Sequence, residues 1–133
     1  MIKAIADTHA VIWYLFGDSR LSAVAYETIE KIAAEGNQVG FSAITLAEIV
    51  YLSERGRISA ETLSRLIESL IQEGSVLVDV PFNREIAVVM QQVERTKVPE
   101  LPDRMIAATA LYLSVPVITR DHKIQASSLS TIW

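Results

Sequence analysis

The sequence predicts an α/β fold, a three-layer α/β/α sandwich around a central, mainly parallel sheet of four to five strands. Three observations lead there. Short apolar runs, several rich in Ile and Val, stand at residues 2–6, 39–42, 76–80 and 115–119. Segments of helical length separate them, with apolar residues at helical spacing and glycine just past several of their ends. Continuous rather than alternating apolar strands are those buried on both faces, as in a parallel sheet covered by helices. With 133 residues the chain is expected to form one domain, residues 1–133.

Each element has its own signal. Residues 2–6 are a buried strand. Residues 10–16 read as a helix that is apolar nearly all round, and residues 21–34 as an amphipathic helix that Gly36 ends. Residues 39–42 are the second strand. A helix over 46–54 stops at Gly56. The next, over 60–72, sets Leu63, Leu66, Ile67, Leu70 and Ile71 on one face, with Gly74 beyond it. Residues 76–80 are the third strand. Asn83 suits the N-cap of a helix running to about Arg95. Pro102 suits the first turn of a helix ending at Leu113. Residues 115–119 form a fourth strand with one proline near its start, where proline is tolerated. Residues 131–133 complete the sheet as an edge strand.

Composition narrows the function classes. Half of the chain is hydrophobic, enough for a core and against disorder. It has no cysteine, so disulfides and thiolate metal sites are excluded. The N-terminus meets an acid at Asp7 and lacks the pattern of a signal peptide. No apolar run nears the ~20 residues of a membrane span. The expectation is a soluble, cytoplasmic protein without a membrane partner. A net charge of −4 counts mildly against a nucleic-acid coat protein. It does not weigh against an enzyme whose acids gather around a cation.

In a parallel sheet, ligands bind beyond the carboxyl ends of the strands. Four acids stand there. Asp7 follows the first strand, Asp121 follows the fourth across Thr119 and Arg120, and Glu48 and Asp103 lie in the first turns of helices. Each also fits a purely structural role: Asp7 as a cap, Glu48 in a capping box with Thr45, Asp103 against a helix dipole, Asp121 in a turn. Capping alone gives no reason for all four to fall on one edge of one sheet. Carboxylates so gathered repel, and a divalent cation removes the conflict. An all-oxygen set suits Mg²⁺ or Mn²⁺. Such an ion beside a phosphodiester makes a nuclease the natural reaction class.

At these residues the chain resembles the PIN-domain family, and within it the VapC-type toxins of bacterial toxin–antitoxin pairs. The matching stretches are Ala6-Asp7-Thr8-His9-Ala10 with Trp13, Ser42 to Ile49 around Glu48, Leu101 to Ala110 around Asp103, and Val117-Ile118-Thr119-Arg120-Asp121. They span the chain in the family's order. The resemblance implies Asp7, Glu48, Asp103 and Asp121 as catalytic and metal-binding acids, supported by the Thr119 hydroxyl. It implies an endoribonuclease that uses Mg²⁺ or Mn²⁺ and cuts structured RNA. It also implies a small VapB-like antitoxin as partner, and a homodimer.

The remaining residues divide by chemistry. Thr8, like Thr119, can orient carboxylates or metal-bound water, and a turn or cap suits it equally. His9 is expected to pack or cap. Arg104 and Arg120 adjoin site acids and are balanced between RNA phosphate contacts and ordinary surface charges or ion pairs. Trp13, Tyr14 and Phe16 crowd one short helix. The expectation is that this helix offers an aromatic contact surface to a protein partner, with Trp13 as its anchor. Two other readings stand beside the nuclease. A catalytically silent PIN-type binding module would retain the fold without the reaction. A phospho-receiver signalling domain would need paired acids after the first strand and a Lys-Pro after the last. Here Thr8 follows Asp7, and no Lys-Pro occurs.

Overall fold

The computed structural model describes all 133 residues. Five strands form one sheet: β1 (Ile2–Ala6), β2 (Gln38–Ser42), β3 (Leu77–Val80), β4 (Val117–Ile118) and β5 (Thr131–Ile132). Their order is β3-β2-β1-β4-β5, and every pairing is parallel. Seven helices connect them: α1 (Thr8–Phe16), α2 (Ala23–Ala34), α3 (Ile44–Glu54), α4 (Thr62–Ile71), α5 (Arg84–Val89), α6 (Leu101–Leu113) and α7 (His122–Gln125). No helix is long and apolar enough to cross a membrane.

Strand side chains alternate between two cores, one on each face of the sheet. Ala4, Ala6, Val39, Phe41 and Ile118 pack into one core with residues of α1, α2, α3 and α4. Ile5 and Val117 point the other way, into a core with Ile86, Ile106 and Ile124. This is the expected α/β/α layering, with the sheet wholly rather than mainly parallel. Gly40 sits where β2 is most crowded. A Cβ there would stand 2.9 Å from Ile5 Cδ1 and 3.0 Å from Val80 Cγ2, so any larger residue would require those side chains to shift.

Several boundaries move from the sequence reading, each for a local reason. The second helix begins at Ala23 rather than at residue 21, because Ser22 caps it through the Ala25 N–H at 3.0 Å. The helix after Asn83 does not reach Arg95. It tightens to a 3-10 turn at Met90–Gln92, and Val93 is extended. Strand β4 is two residues long. Pro116 has no N–H to give the ladder, and the Val115 N–H turns back to the Ala110 carbonyl at the end of α6. Asp121 does more than turn the chain: it caps α7, accepting from the Lys123 and Ile124 N–H groups.

The apolar stripe of α4 is narrower than its spacing suggests. Leu66 is fully buried, but Ile67 is 43% exposed and Ile71, at the helix end, 79% exposed. Leu66→Ala should therefore cost about 2–5 kcal/mol of stability, the usual cost of an emptied core site. Ile71→Ser should stay within about 0.5 kcal/mol of wild type. Urea unfolding of the two variants checks this, and equal losses would mean that Ile71 is buried after all.

Candidate functional site

The sheet's register builds the site. Ile5 pairs with Val117 and Ala6 with Ile118, so the next residues on the two strands, Asp7 and Thr119, emerge side by side. The Asp7 N–H still bonds to the Ile118 carbonyl at 3.1 Å. Beyond it the Asp7 carboxylate is held at both oxygens. Oδ1 accepts from the Ala10 N–H at 2.9 Å, capping α1, and Oδ2 accepts from the Thr119 hydroxyl. The capping reading and the site reading of Asp7 are thus both realised, one on each oxygen.

Glu48 comes from α3. The capping box expected with Thr45 does not form. Ala43 occupies the N-cap, and no side chain caps the helix. Instead Thr45, one turn before Glu48, turns inward and meets the Thr8 hydroxyl at 3.0 Å. The Thr8 hydroxyl donates to Glu48 Oε1 at 2.5 Å. Two threonines from different helices thereby fix one carboxylate. Asp103 stands in the first turn of α6, opened by Pro102. Asp121 comes off the loop that leaves β4.

All four acids line one cleft of about 820 Å³. Glu100 joins them, and Thr8 and Ile106 lie between. Burial raises the Asp7 carboxyl above the usual range, and the nearby Asp121 charge adds to the rise. The Thr119 and Ala10 donors and His9 oppose it. Asp103 is pushed up to about 6, by burial first and then by the charges of Asp121, Glu100, Glu48 and Asp7. These are oxygen donors under mutual repulsion, a set that suits a hard divalent cation. No three acidic or imidazole side chains stand close enough to enclose a bare ion.

The cleft also has basic lining. Arg120, Lys123, His9 and His122 line it, and so does Arg20, which the sequence reading passed over. No spacing rule marks Arg20. Gly17, at φ 60°, ends α1, and the turn after it carries Arg20 back over the helix. Arg104, expected beside the acids as an RNA contact or ion pair, does neither and does not line the cleft. Its guanidinium donates to the carbonyls of Met90 at 2.8 Å and Val93 at 3.4 Å. It thereby ties α6 to the end of the 3-10 turn, adding a second donor to the Met90 carbonyl, which already accepts from the Val93 N–H at 3.1 Å. Trp13 also departs from expectation. It is 4% exposed and part of the core, so it cannot anchor a partner protein. Of the aromatic trio, only Phe16 is counted among the exposed large apolar side chains.

The family model described as PIN domain matches residues 4–127. Among solved structures, the chain is similar to a toxin–antitoxin complex from Klebsiella pneumoniae, with a TM-score of 0.68 and 25% identity over 98% of this chain and 97% of that one. It is similar to FitAcB from Neisseria gonorrhoeae, with a TM-score of 0.61 and 25% identity over 96% and 95% of the two chains. It shares its fold with VapBC2 from Rickettsia felis bound to a DNA fragment from their promoter, with a TM-score of 0.70 at 20% identity over 98% and 97%. No curated protein matches it by sequence.

The raised Asp103 carboxyl sets a pH dependence. A carboxyl whose folded value lies above its unfolded value binds more protons when folded, so its contribution to stability falls as pH rises through that window. For Asp103 the window runs from 3.8 to about 6. In EDTA, Asp103→Asn should gain stability relative to wild type as pH is raised from about 4 to 7. Denaturation midpoints across that range check it, and a constant difference would contradict the crowding of these acids.

Proposed function

The chain belongs to the PIN-domain family, and from that premise we propose that it is a metal-dependent endoribonuclease, the VapC-type toxin of a toxin–antitoxin pair. The convergence of Asp7, Glu48, Asp103 and Asp121 on one cleft carries this reading. These four acids would hold Mg²⁺ or Mn²⁺. The bound ion supplies Lewis acidity toward a phosphoryl oxygen and a water made easier to deprotonate. The protein's own work is orientation. Thr119 and the Ala10 N–H keep both Asp7 oxygens at the sheet edge, and Thr8 keeps Glu48 facing them. Asp7 and Asp103 would have to be ionised to hold such an ion, so any proton kept on them in the metal-free cleft would be given up. Arg120 faces the backbone of the RNA substrate.

A cytoplasmic ribonuclease needs restraint, and a small VapB-like antitoxin supplies it. The similarity to toxin–antitoxin complexes supports that partner, as the acidic cleft does: a guanidinium from the antitoxin would pair with the carboxylates that otherwise hold metal. The toxin itself acts as a homodimer.

Expression of the chain alone, followed by sequencing of new RNA ends, tests the reading. Wild type should cut RNA with Mg²⁺ or Mn²⁺ and fall silent in EDTA. Asp7→Asn should abolish cleavage with the melting temperature kept or raised. Thr119→Val should lose about 10–100-fold, the usual effect of removing a group that orients a metal ligand. A fully active Asp7→Asn protein would overturn the assignment, and cleavage of DNA in place of RNA would reassign the substrate.

A further inference from the structure

Three cationic side chains that line the acidic cleft differ in how their charges are balanced. Arg20 is paired with Asp18, through Nε to Oδ1 at 3.1 Å and Nη2 to Oδ2 at 2.8 Å. Lys123 is paired with Glu100 at 3.3 Å. Arg120 forms no ion pair: no carboxylate oxygen lies within 4.0 Å of its guanidinium, although Asp121 is the next residue. What holds it is an aromatic face. Its guanidinium lies 4.5 Å from the centre of the Trp13 ring, and Arg20 approaches the same ring at 5.2 Å. Trp13 is itself fixed. His9 packs on it at 5.5 Å between ring centres and Trp133 at 5.9 Å.

A guanidinium on an indole keeps its charge and its planar fork of donors. An ion pair with Asp121 would spend both. We propose that Trp13 is a positioning residue that holds the Arg120 guanidinium at the lip of the acidic cleft, where it grips a backbone phosphate of the RNA other than the one being cut. The scissile phosphate belongs near the carboxylates and their cation, while Arg120 lines the same cleft with no carboxylate oxygen within 4.0 Å of its guanidinium. Its fork is accordingly assigned to a neighbouring phosphate of the strand. Such a contact fixes the register of the RNA and carries no sequence preference of its own. The inference rests on the ribonuclease reading above.

The test uses a fluorescent RNA 12-mer of randomised sequence in EDTA, its Kd read by anisotropy over a salt series, beside KM and kcat for cleavage with Mn²⁺. Arg120→Ala should weaken binding about tenfold, as loss of a charged hydrogen-bonded contact does. It should also flatten the slope of log Kd against log salt by about 0.7, the value for one single-strand phosphate. The loss in cleavage should fall more heavily on KM than on kcat. Trp13→Leu keeps an apolar side chain in the core but removes the π face. It should reproduce the binding defect, and it should add nothing in an Arg120→Ala background. If Trp13→Leu fails to fold, Trp13→Phe, which keeps an aromatic face, takes its place with a smaller defect and the same non-additivity. Equal losses from the Trp13 change with and without Arg120 would overturn the proposal and make Trp13 core alone. Unchanged RNA affinity in Arg120→Ala would overturn it while leaving the ribonuclease reading intact. A wild type that neither binds nor cuts RNA would overturn both.

Discussion

Asp7 is held at both carboxylate oxygens, and the geometry of the cleft follows from that. One of its oxygens caps α1, and the other is held by Thr119, 112 residues further along the chain. The second contact exists only because β1 and β4 are neighbours in register. The sheet thus sets where the carboxylate points. Thr119 is itself fixed in turn: its N–H bonds to Ile132 in β5, and its hydroxyl oxygen accepts from the Asp121 N–H at 2.9 Å. One threonine therefore ties two of the four acids to the sheet's edge.

The cost of this arrangement is electrostatic. Burial and like charges raise Asp7 and Asp103, so the metal-free cleft retains protons that isolated carboxylates would have lost. Pre-positioned repulsion of this kind is what a divalent cation relieves on binding. The lip obeys the same logic with opposite sign. Two of its cations are neutralised by neighbouring acids, and the third is held by an aromatic ring that leaves its charge available. Beside the acids, a guanidinium without an ion pair gives a protein of net charge −4 a local positive group.

The sequence carried the sheet, the layering and the placement of the four acids at its edge, because apolar runs and helix starts are local signals. Its mistakes concern contacts made at long range. Nothing in the run around Arg104 shows that its guanidinium would close the 3-10 turn at Met90–Gln92, since that turn lies on another element. The Thr8–Glu48 bond joins α1 to α3, and a local capping box was the only pairing that spacing could suggest. Three aromatic residues crowding one short helix suggested a contact surface anchored by Trp13. Its burial depends on His9, on Trp133 at the far end of the chain and on two arginines from separate loops. On α4, spacing gave the correct face but could not tell that Ile71 lies where the helix runs past the core.

The proposed cation site of four carboxylates should take up metal only as it gives up protons. Titration calorimetry of Mn²⁺ into the wild-type protein, repeated in buffers of different ionisation enthalpy, measures it directly by counting the protons released per ion bound. Saturable binding is expected with substantial proton release near pH 6, where Asp103 is about half protonated, and with a smaller release at about pH 8, where Asp103 has given up its proton. Saturable binding with no proton release at either pH would contradict it, as would an absence of binding.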